Sequence, residues 1–425
     1  MNSEKYELSA ETRRYYMLRT IFCGMKKIFT SWKAALMYLA VMLALSALFR
    51  LSCAGGDGLA DAMQALLMRA LYIMLFPTLV YAFGHVRGSF AIYRNLIRAG
   101  FTNKVGEAPV LIQRQRVGLA EELTFVAKGL PLETWTKEKE KIQTALNMTI
   151  GRIKQGDDLR TIIVRAVPGN VQFPPIIPWE DNYMAEDEAV IRLGKTIADE
   201  IVEINIDVQP MMLLAGNTGS GKTNLAACIC YQALKRGAQV TVVDFKGLDF
   251  AELERLGATI LTQPDAIICA LKEATDEIER RRQLFADVGA KKLSSYRKKT
   301  GIDLPRMVVL VDECAMLTDY GTTKEAKAFS KAVVDLLSGI ARIGRAMGVY
   351  LIISTQRPDQ AAVPGSIKSN LIVHICGRAD ATLSSIVLGD SRASVKIPED
   401  AQGRFIMAEG TDDTVFQAFY IDDED

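Results

Sequence analysis

Two apolar runs stand near the start of the chain, AALMYLAVMLALSALF at 34–49 and ALYIMLFPTLVYAFGHV at 70–86. Neither has a polar face, and each lies near the short end of the about 17–25 residues a membrane-spanning helix needs. Trp32, Lys33 and Arg50 flank the first run, Arg69 and Arg87 the second. Long cationic stems can extend a span by reaching up to the interface. A Gly-rich link, CAGGDG at 53–58, joins the runs. The pattern predicts a transmembrane hairpin, with a buried helical hairpin of a soluble core as the alternative. Arg13, Arg14, Arg19, Lys26, Lys27 and Lys33 precede it, and Arg87, Arg94, Arg98 and Lys104 follow it. The link region carries Asp57 and Asp61. Basic flanks stay in the cytoplasm, so both chain ends are expected there. The first run does not read as a cleavable signal, because 33 residues precede it and no small-residue cleavage pattern stands out.

Beyond Arg87 the runs shorten. The segment from Trp135 to Ile153 reads as an amphipathic helix running into a strand, and LRTIIVRAV at 159–167 as another strand. PGNVQFPPIIP at 168–178 carries a linker or loop signal. The expected organisation is an N-terminal cytoplasmic segment at 1–33 and a hairpin at 34–86 with helices at 34–52 and 70–86. A linker with a small α/β domain follows at 87–187, and a larger domain at 188–425. No repeat is visible, and the acidic end DDED at 422–425 reads as solvated tail.

In the larger domain, strand-like runs end in chemistry. MMLLAGNTGSGKTN at 211–224 is an apolar strand, a glycine-rich loop and a helix start. Gly216, Asn217, Thr218, Gly219, Ser220, Gly221, Lys222 and Thr223 fit the phosphate-loop pattern G-x-x-x-x-G-K-[ST] without departure. Glycines let backbone N–H groups curl around phosphates, and the following helix adds the positive end of its dipole. Lys222 would reach the β- and γ-phosphates of ATP, and the Thr223 hydroxyl would ligate Mg²⁺. RMVVLVDEC at 306–314 is a second strand ending in Asp312 and Glu313. Asp312 is placed to hold Mg²⁺, directly or through water. Glu313 is the candidate to activate the attacking water. Alone, a charged strand end facing solvent would look the same; the loop upstream argues for hydrolysis. In P-loop NTPases with a catalytic Glu, an extra strand lies between the phosphate-loop strand and the Asp-Glu strand. GVYLIISTQ at 348–356 is the candidate, and its end would set Gln356 beside the γ-phosphate, where open α/β sheets bind ligands. There Gln356 can donate to the phosphate or orient water; a simple loop hydrogen bond is the alternative.

Further segments, taken in order from about 188 to 410, resemble the FtsK/SpoIIIE family. They are IRLGKTIADEIVEINIDVQP before the phosphate loop, VVDFKGLDF at 242–250 and EIERRRQLFADVGAKKLSSYRKK at 277–299. IARIGRAMGVYLIISTQRPD at 340–359 and PGSIKSNLIVHICGRA at 364–379 complete the series. In the second segment Asp244 and Lys246 match the family's Asp-Pro-Lys stretch, and Phe245 replaces the proline. The resemblance implies an α/β fold: a RecA-like P-loop NTPase motor of the ASCE type, joined here to the small α/β domain and the two-helix transmembrane hairpin. It implies hexameric rings that thread duplex DNA and ATP-driven, Mg²⁺-dependent translocation. It also offers Arg345 or Arg342 as an arginine finger for a neighbouring subunit, with a solvated helix face as the alternative for each. Arg357 and Arg378 are weaker candidates. Arg280 to Arg282, Lys291, Lys292, Arg297, Lys298 and Lys299 would face DNA phosphates, a subunit interface or solvent. His374 reads as core.

Chromosome-segregating relatives have more membrane helices, a long linker and a C-terminal winged-helix domain. Only 69 residues follow Gln356 here, too few for motor completion plus that domain. Two short membrane helices on a motor resemble the coupling ATPases of conjugative elements in Gram-positive bacteria, which belong to the same family. That resemblance implies a relaxase and transfer-channel proteins as partners, and a multi-pass place in the bacterial cell membrane with the motor in the cytoplasm. The other readings are a chromosome-partition translocase of division or sporulation and a type VII-like protein-secretion ATPase. Secretion motors usually carry several ATPase modules, and this chain has one phosphate loop.

Composition narrows the picture in two ways. The formal net charge is only +1 over 425 residues, so any surface for a polyanion is a local patch. The seven cysteines, at 23, 53, 228, 230, 269, 314 and 376, form no C-x-x-C pair, and there are two histidines. Structural zinc is therefore not expected, and the cysteines read as small hydrophobes in a reducing compartment.

Overall fold

The computed structural model describes residues 10–52, 59–247, 249–359, 361–409 and 412–421. The link at 53–58 and the acidic end at 422–425 lie outside the described residues. The chain divides into two compact units between Val171 and Gln172.

The first unit opens with three helices, α1 (Ala10–Thr30), α2 (Trp32–Ser52) and α3 (Leu59–Gly84). The two apolar runs fall within α2 and α3, apart from the last two residues of the second run. α1 is new: residues before 34 carry a charge signal that masks an amphipathic helix. Tyr16 and Thr20 are buried, whereas Leu18, Phe22 and Phe29 are exposed. α1 packs against α3 backbone to backbone. A Cβ on Gly24 would sit 1.9 Å from the Val80 carbonyl oxygen, and one on Gly84 1.8 Å from that of Thr20. Only glycine lets the two helices approach this closely. Among the described residues no single helix is long and apolar enough to cross a membrane. Arg13–Thr30 and Trp32–Ala47 meet that test together, across a 104° bend.

α4 (Ser89–Arg98) leads into a four-stranded antiparallel sheet. Its strands are β1 (Val110–Val117), β2 (Ala120–Val126), β3 (Met148–Gln155) and β4 (Thr161–Pro168), in spatial order β1-β2-β4-β3. Between β2 and β3 the helix read from Trp135 onward is two short pieces, α5 (Leu132–Lys137) and α6 (Lys139–Leu146). Trp135 is fully buried, with its ring centroid 5.0 Å from that of Phe101 and 5.2 Å from that of Phe125. This is the centre of the small domain's core.

The second unit is built on an eleven-stranded sheet. In chain order its strands are β5 (Ile177–Pro178), β6 (Val190–Lys195), β7 (Ile201–Asn205), β8 (Met211–Ala215), β9 (Gln239–Val243) and β10 (Thr259–Leu261). Then come β11 (Met307–Val311), β12 (Val349–Thr355), β13 (Val373–Cys376), β14 (Arg404–Glu409) and β15 (Asp412–Tyr420). Across the sheet they run β10-β9-β11-β12-β8-β13-β14-β15-β6-β7, with β5 beside β15. β5 comes from the proline-rich stretch that reads as linker. The helices are α7 (Lys222–Lys235), α8 (Ala251–Arg255), α9 (Pro264–Asp287), α10 (Leu293–Thr300), α11 (Ala315–Thr318) and α12 (Lys324–Met347). α13 (Gly365–Lys368), α14 (Ala381–Leu388) and α15 (Arg392–Lys396) complete the set.

From β10 to β13 all pairings are parallel. Both faces of this part are covered, which is why its strands read as unbroken apolar runs. Met211, Leu213, Leu351 and Ile353 pack in one core with α9 and α12. Met212, Leu214, Tyr350 and Ile352 pack in the other with α7. Cys228, Cys230, Cys314 and Cys376 are buried, and burial pushes their thiols up to about 12. These four are packing groups, as the sequence implies, whereas Cys269 is exposed and Cys23 half-buried.

At the amino edge of the sheet, Asp207 ties three strands together. Arg306, at the start of β11, donates to both carboxylate oxygens of Asp207 at 3.0 Å, and the Tyr350 hydroxyl of β12 donates to one of them. Burial pushes the Asp207 carboxyl up, but Arg306 and Tyr350 outweigh it and hold it below the ordinary carboxylate value. Asp207→Asn should cost about 2–4 kcal/mol, because the buried Arg306 loses its two-oxygen partner and keeps only the exposed Glu188 carboxylate at 3.2 Å. A depressed folded value stabilises fully above the unfolded carboxylate pKa and is lost as pH falls through the folded one. In urea titrations the gap between wild type and Asp207→Asn should therefore be full at pH 7 and shrink below about pH 4. A gap of equal size at pH 3 would remove the ion pair as its cause.

Candidate nucleotide site

Strand register builds the site. β12 lies between β8 and β11, pairing Thr355 with Ala215 and Ile353 with Val311. β9 and β13 extend the alignment, setting Val243 beside Val311 and Cys376 beside Ala215. The residues just past these ends form one row along the carboxyl edge: Asp244, Asp312 with Glu313, Gln356, the loop 216–223 and Arg378.

The loop turns on glycine. Gly219 and Gly221 have φ of +74° and +94°, a region that costs other residues, and Gly221 begins α7. Lys222 is buried, and its Nζ donates to the carbonyl oxygens of Gly216 at 2.6 Å and Asn217 at 3.2 Å. Burial lowers its pKa, while Glu313 and Asp312 oppose that shift. The Ser220 hydroxyl is buried with no hydrogen-bond partner among the described residues. Such an orphan costs about 1–3 kcal/mol unless a ligand satisfies it. A glycine-wrapped loop with a buried ammonium and an unsatisfied hydroxyl fits a nucleotide's phosphates. Thr223 sits in the first turn of α7.

Asp312 is buried, and burial raises its carboxyl above the ordinary value, with the Asp244 charge adding to the rise. Asp244, Asp249 and Asp312 offer oxygens that all lie within 4.8 Å of one another. Three carboxylates so close suit a hard cation such as Mg²⁺, which they and Thr223 would hold to neutralise phosphate charge. Asp312 and Thr223 are the ligands read from the sequence; Asp249 is added by the fold.

Glu313 has φ of +48°, a strained conformation for a residue with a Cβ. Its carboxylate accepts from the Thr355 hydroxyl at 3.0 Å and from the Gln356 backbone N–H at 3.2 Å. The Gln356 side-chain oxygen in turn accepts from the Thr218 hydroxyl at 2.6 Å. Gln356 therefore bridges the phosphate loop and the Asp-Glu strand, its backbone on one and its side chain on the other.

Arg378 is the residue that sequence reasoning undervalued. Its guanidinium donates to the carbonyl oxygen of Thr218 at 2.8 Å and to that of Glu399, and its own carbonyl accepts from Asn217 N–H at 2.7 Å. The signal was available: Arg378 follows the apolar strand LIVHIC as Gln356 follows LIIST.

Arg342 and Arg345 are exposed on the last turns of α12. α12 ends where β12 begins, and a Cβ on Gly344 would lie 2.4 Å from the Val349 carbonyl oxygen. Both arginines thus stand at the amino edge, roughly 20 Å, one strand length, from Gln356 of the same chain. The fold does not bring them into this chain's own site. Much of the basic run is also spoken for. Arg280 and Arg281 pair with Glu277, Arg282 with Glu279, and Arg297 with Glu188 and Asp303. Arg281 is buried and holds the Met347 carbonyl, so it is a structural cation. The basic loop expected after α9 includes a helix, α10. His374 is half-buried on β13, its Nδ1 2.9 Å from the Val387 carbonyl oxygen.

The model of the FtsK/SpoIIIE family matches residues 178–360. The structure of the pCW3 conjugation coupling protein TcpA, in monomer form with ATPγS, is 35% identical and aligns over 80% of this chain and 96% of that one, with a TM-score of 0.58. A DNA translocase FtsK from Campylobacter jejuni is 29% identical over 246 residues, 55% of this chain. The chain spans 24% of that relative's length. EssC, ATPases 2 and 3, from Geobacillus thermodenitrificans aligns at 17% identity over 60% of this chain and 49% of that one, with a TM-score of 0.50, and shares the fold.

Lys222→Ala should weaken ATP binding at least tenfold, because the phosphates lose a charge-assisted partner. Titration with a fluorescent ATP analogue measures this. Unchanged affinity would mean that the nucleotide binds elsewhere.

Proposed function

The chain belongs to the FtsK/SpoIIIE family, and on that premise we propose that it is a membrane-anchored, ATP-driven DNA translocase that feeds DNA into a conjugative transfer channel. The observation that carries the conjugative part is the 35% identity to a conjugation coupling protein across 96% of that protein's solved chain. The exposed apolar faces of α2 and α3 support anchoring, with Leu36, Met37 and Leu43 on one and Leu66 and Ile73 on the other. On this reading the chain sits in a bacterial cell membrane with its motor in the cytoplasm. Its partners are DNA, further copies of itself in a ring of about six, a relaxase and channel proteins.

The residues divide the work. The loop 216–223 binds the phosphates, and Lys222 supplies the counter-charge. Asp312 and Thr223 would hold Mg²⁺, which would neutralise charge on the phosphates. Glu313 takes the proton of the attacking water, and its strained backbone together with Thr355 keeps the carboxylate aimed. Gln356 senses the nucleotide: a ligand that competes for Thr218 frees its side chain, while its backbone stays on Glu313. Glu313→Gln should retain ATP binding but lose turnover by about 10²–10⁴, because an amide cannot accept the proton. Near wild-type hydrolysis would remove Glu313 from that role.

Arg345, with Arg342 as the alternative, completes the site of a neighbouring subunit. Its place at the edge opposite the phosphate loop supports a head-to-tail contact. The full chain should hydrolyse ATP slowly alone and faster with DNA, with stimulation falling steeply as salt rises. Comparing single- and double-stranded DNA identifies the substrate. Mixing inactive Lys222→Ala with inactive Arg345→Ala subunits should restore part of the activity, since some interfaces pair an intact loop with an intact finger. A mixture that assembles yet stays dead would exclude Arg345 as a finger in trans.

A further inference from the structure

The phosphate loop has two sides, and hydrolysis uses one of them. Glu313 and Gln356 follow β11 and β12, which lie on one side of β8; β13, β14 and β15 lie on the other. Water attacks the terminal phosphate, so the γ end of the nucleotide faces Glu313. The nucleoside, at the opposite end of the phosphates, then extends toward β13, β14 and β15.

The turn before β14 is packed on the loop from that side. Gly403 N–H donates to the Ser220 carbonyl oxygen at 3.0 Å, and a Cβ on Gly221 would lie 3.1 Å from the Gly403 Cα. Arg404 comes next. Its guanidinium carbon lies 3.7 Å from the centroid of the Phe173 ring, and its Nε donates to the Gln417 side-chain oxygen at 2.9 Å. Among the described residues its two terminal amino groups have no hydrogen-bond partner and no carboxylate pairs with it. Burial pulls the Arg404 pKa down to about 10, with the Asp400 charge opposing that shift. A half-buried cation without a counter-charge is costly until a ligand completes it. Guanidinium and aromatic faces both stack well on planar π systems.

One buried side chain fixes both partners. Gln417 is 2% exposed, and its Nε2 donates to the carbonyl oxygens of Pro175 at 3.0 Å and Gln402 at 2.8 Å. It thereby ties the stretch that carries Phe173 to the turn that carries Arg404. We propose, on the nucleotide chemistry inferred above, that Phe173 and Arg404 hold the nucleoside of ATP, with the base stacked on the pair and the free amino groups of Arg404 donating to the sugar. The proline-rich stretch that reads as a linker then forms one wall of the nucleotide site.

Calorimetric titration of the full-length chain with ADP and with pyrophosphate, both in Mg²⁺, provides the test, since pyrophosphate has no nucleoside. Loss of a stacking platform weakens a bound base roughly fivefold or more. Phe173→Ala should therefore weaken ADP by about that factor and leave pyrophosphate within about twofold of wild type. Phe173→Trp keeps a stacking face and should retain the ADP affinity. Arg404→Gln should weaken ADP in the same selective way. Phe173 lies on an irregular stretch rather than a strand, so its variants carry the test if Arg404→Gln misfolds. Unchanged ADP affinity in Phe173→Ala would overturn the nucleoside site. Equal weakening of ADP and pyrophosphate would also overturn it, because that is what a structural role gives. Lys222→Ala separates this site from the phosphate loop. If Lys222→Ala loses both ligands while Phe173→Ala binds ADP as wild type does, the nucleoside site alone falls. If Lys222→Ala binds both as wild type does, the loop is not the nucleotide site and both readings fall.

Discussion

The alignment of five parallel strand ends is the constraint on which the rest of the molecule depends. β9 and β11 stop at one level and β12, β8 and β13 two residues further on, and the residues after these stops line one edge. A one-residue slip of β12 would move Gln356 about 3.3 Å along the edge and turn its side chain to the other face. The same slip would exchange Leu351 and Ile353 with Tyr350 and Ile352 between two differently shaped cores. Asp207, joined to Arg306 and Tyr350 at the opposite edge, holds β11 and β12 in step. Packing and one ion pair thus hold a register that the site then uses.

Within that row the contacts are coupled. Glu313 carries a backbone strain of about 1–3 kcal/mol, which its neighbours must hold. Thr355 and the Gln356 N–H supply two of those restraints, and Gln356 passes the connection to Thr218. Whatever enters the loop and engages Thr218 alters a group one hydrogen bond from Glu313. Arg342 and Arg345 stand at the other edge. The carboxyl edge of the motor carries the phosphate loop and the amino edge carries these two arginines, and unlike surfaces meet in the head-to-tail contacts of a ring. That arrangement underlies the proposed shared site.

The first unit follows a different logic. Its helices meet where Gly24 and Gly84 remove side chains, so α1 and α3 touch through backbone. Charge is handled differently as well. In the second unit, glutamates and aspartates pair with the four arginines of the basic run 280–299, while Lys291, Lys292, Lys298 and Lys299 stand exposed. In α1, five cations share the helix with a single acidic residue, Glu11.

Much of this was legible in the sequence. The phosphate loop is a local code: glycines, a lysine and a threonine at set spacing need only a strand before and a helix after. The unbroken apolar runs at 211–215, 307–311 and 349–353 announce strands covered on both faces. A strand inserted between the phosphate-loop and Asp-Glu strands is what likeness to P-loop NTPases with a catalytic Glu implied, and β12 lies there. The sequence could not show that Gln356 meets Thr218, 138 residues away, or that Arg378 holds the Thr218 carbonyl, 160 residues away. It could not show that Arg281 is buried, that the two arginines of α12 stand a strand length from Gln356, or that α1 exists beneath its charges. Local spacing determines which backbone a segment prefers and which chemistry it carries. Which side chains then share a hydrogen bond depends on the register of the whole sheet, and register is settled only when both cores pack at once.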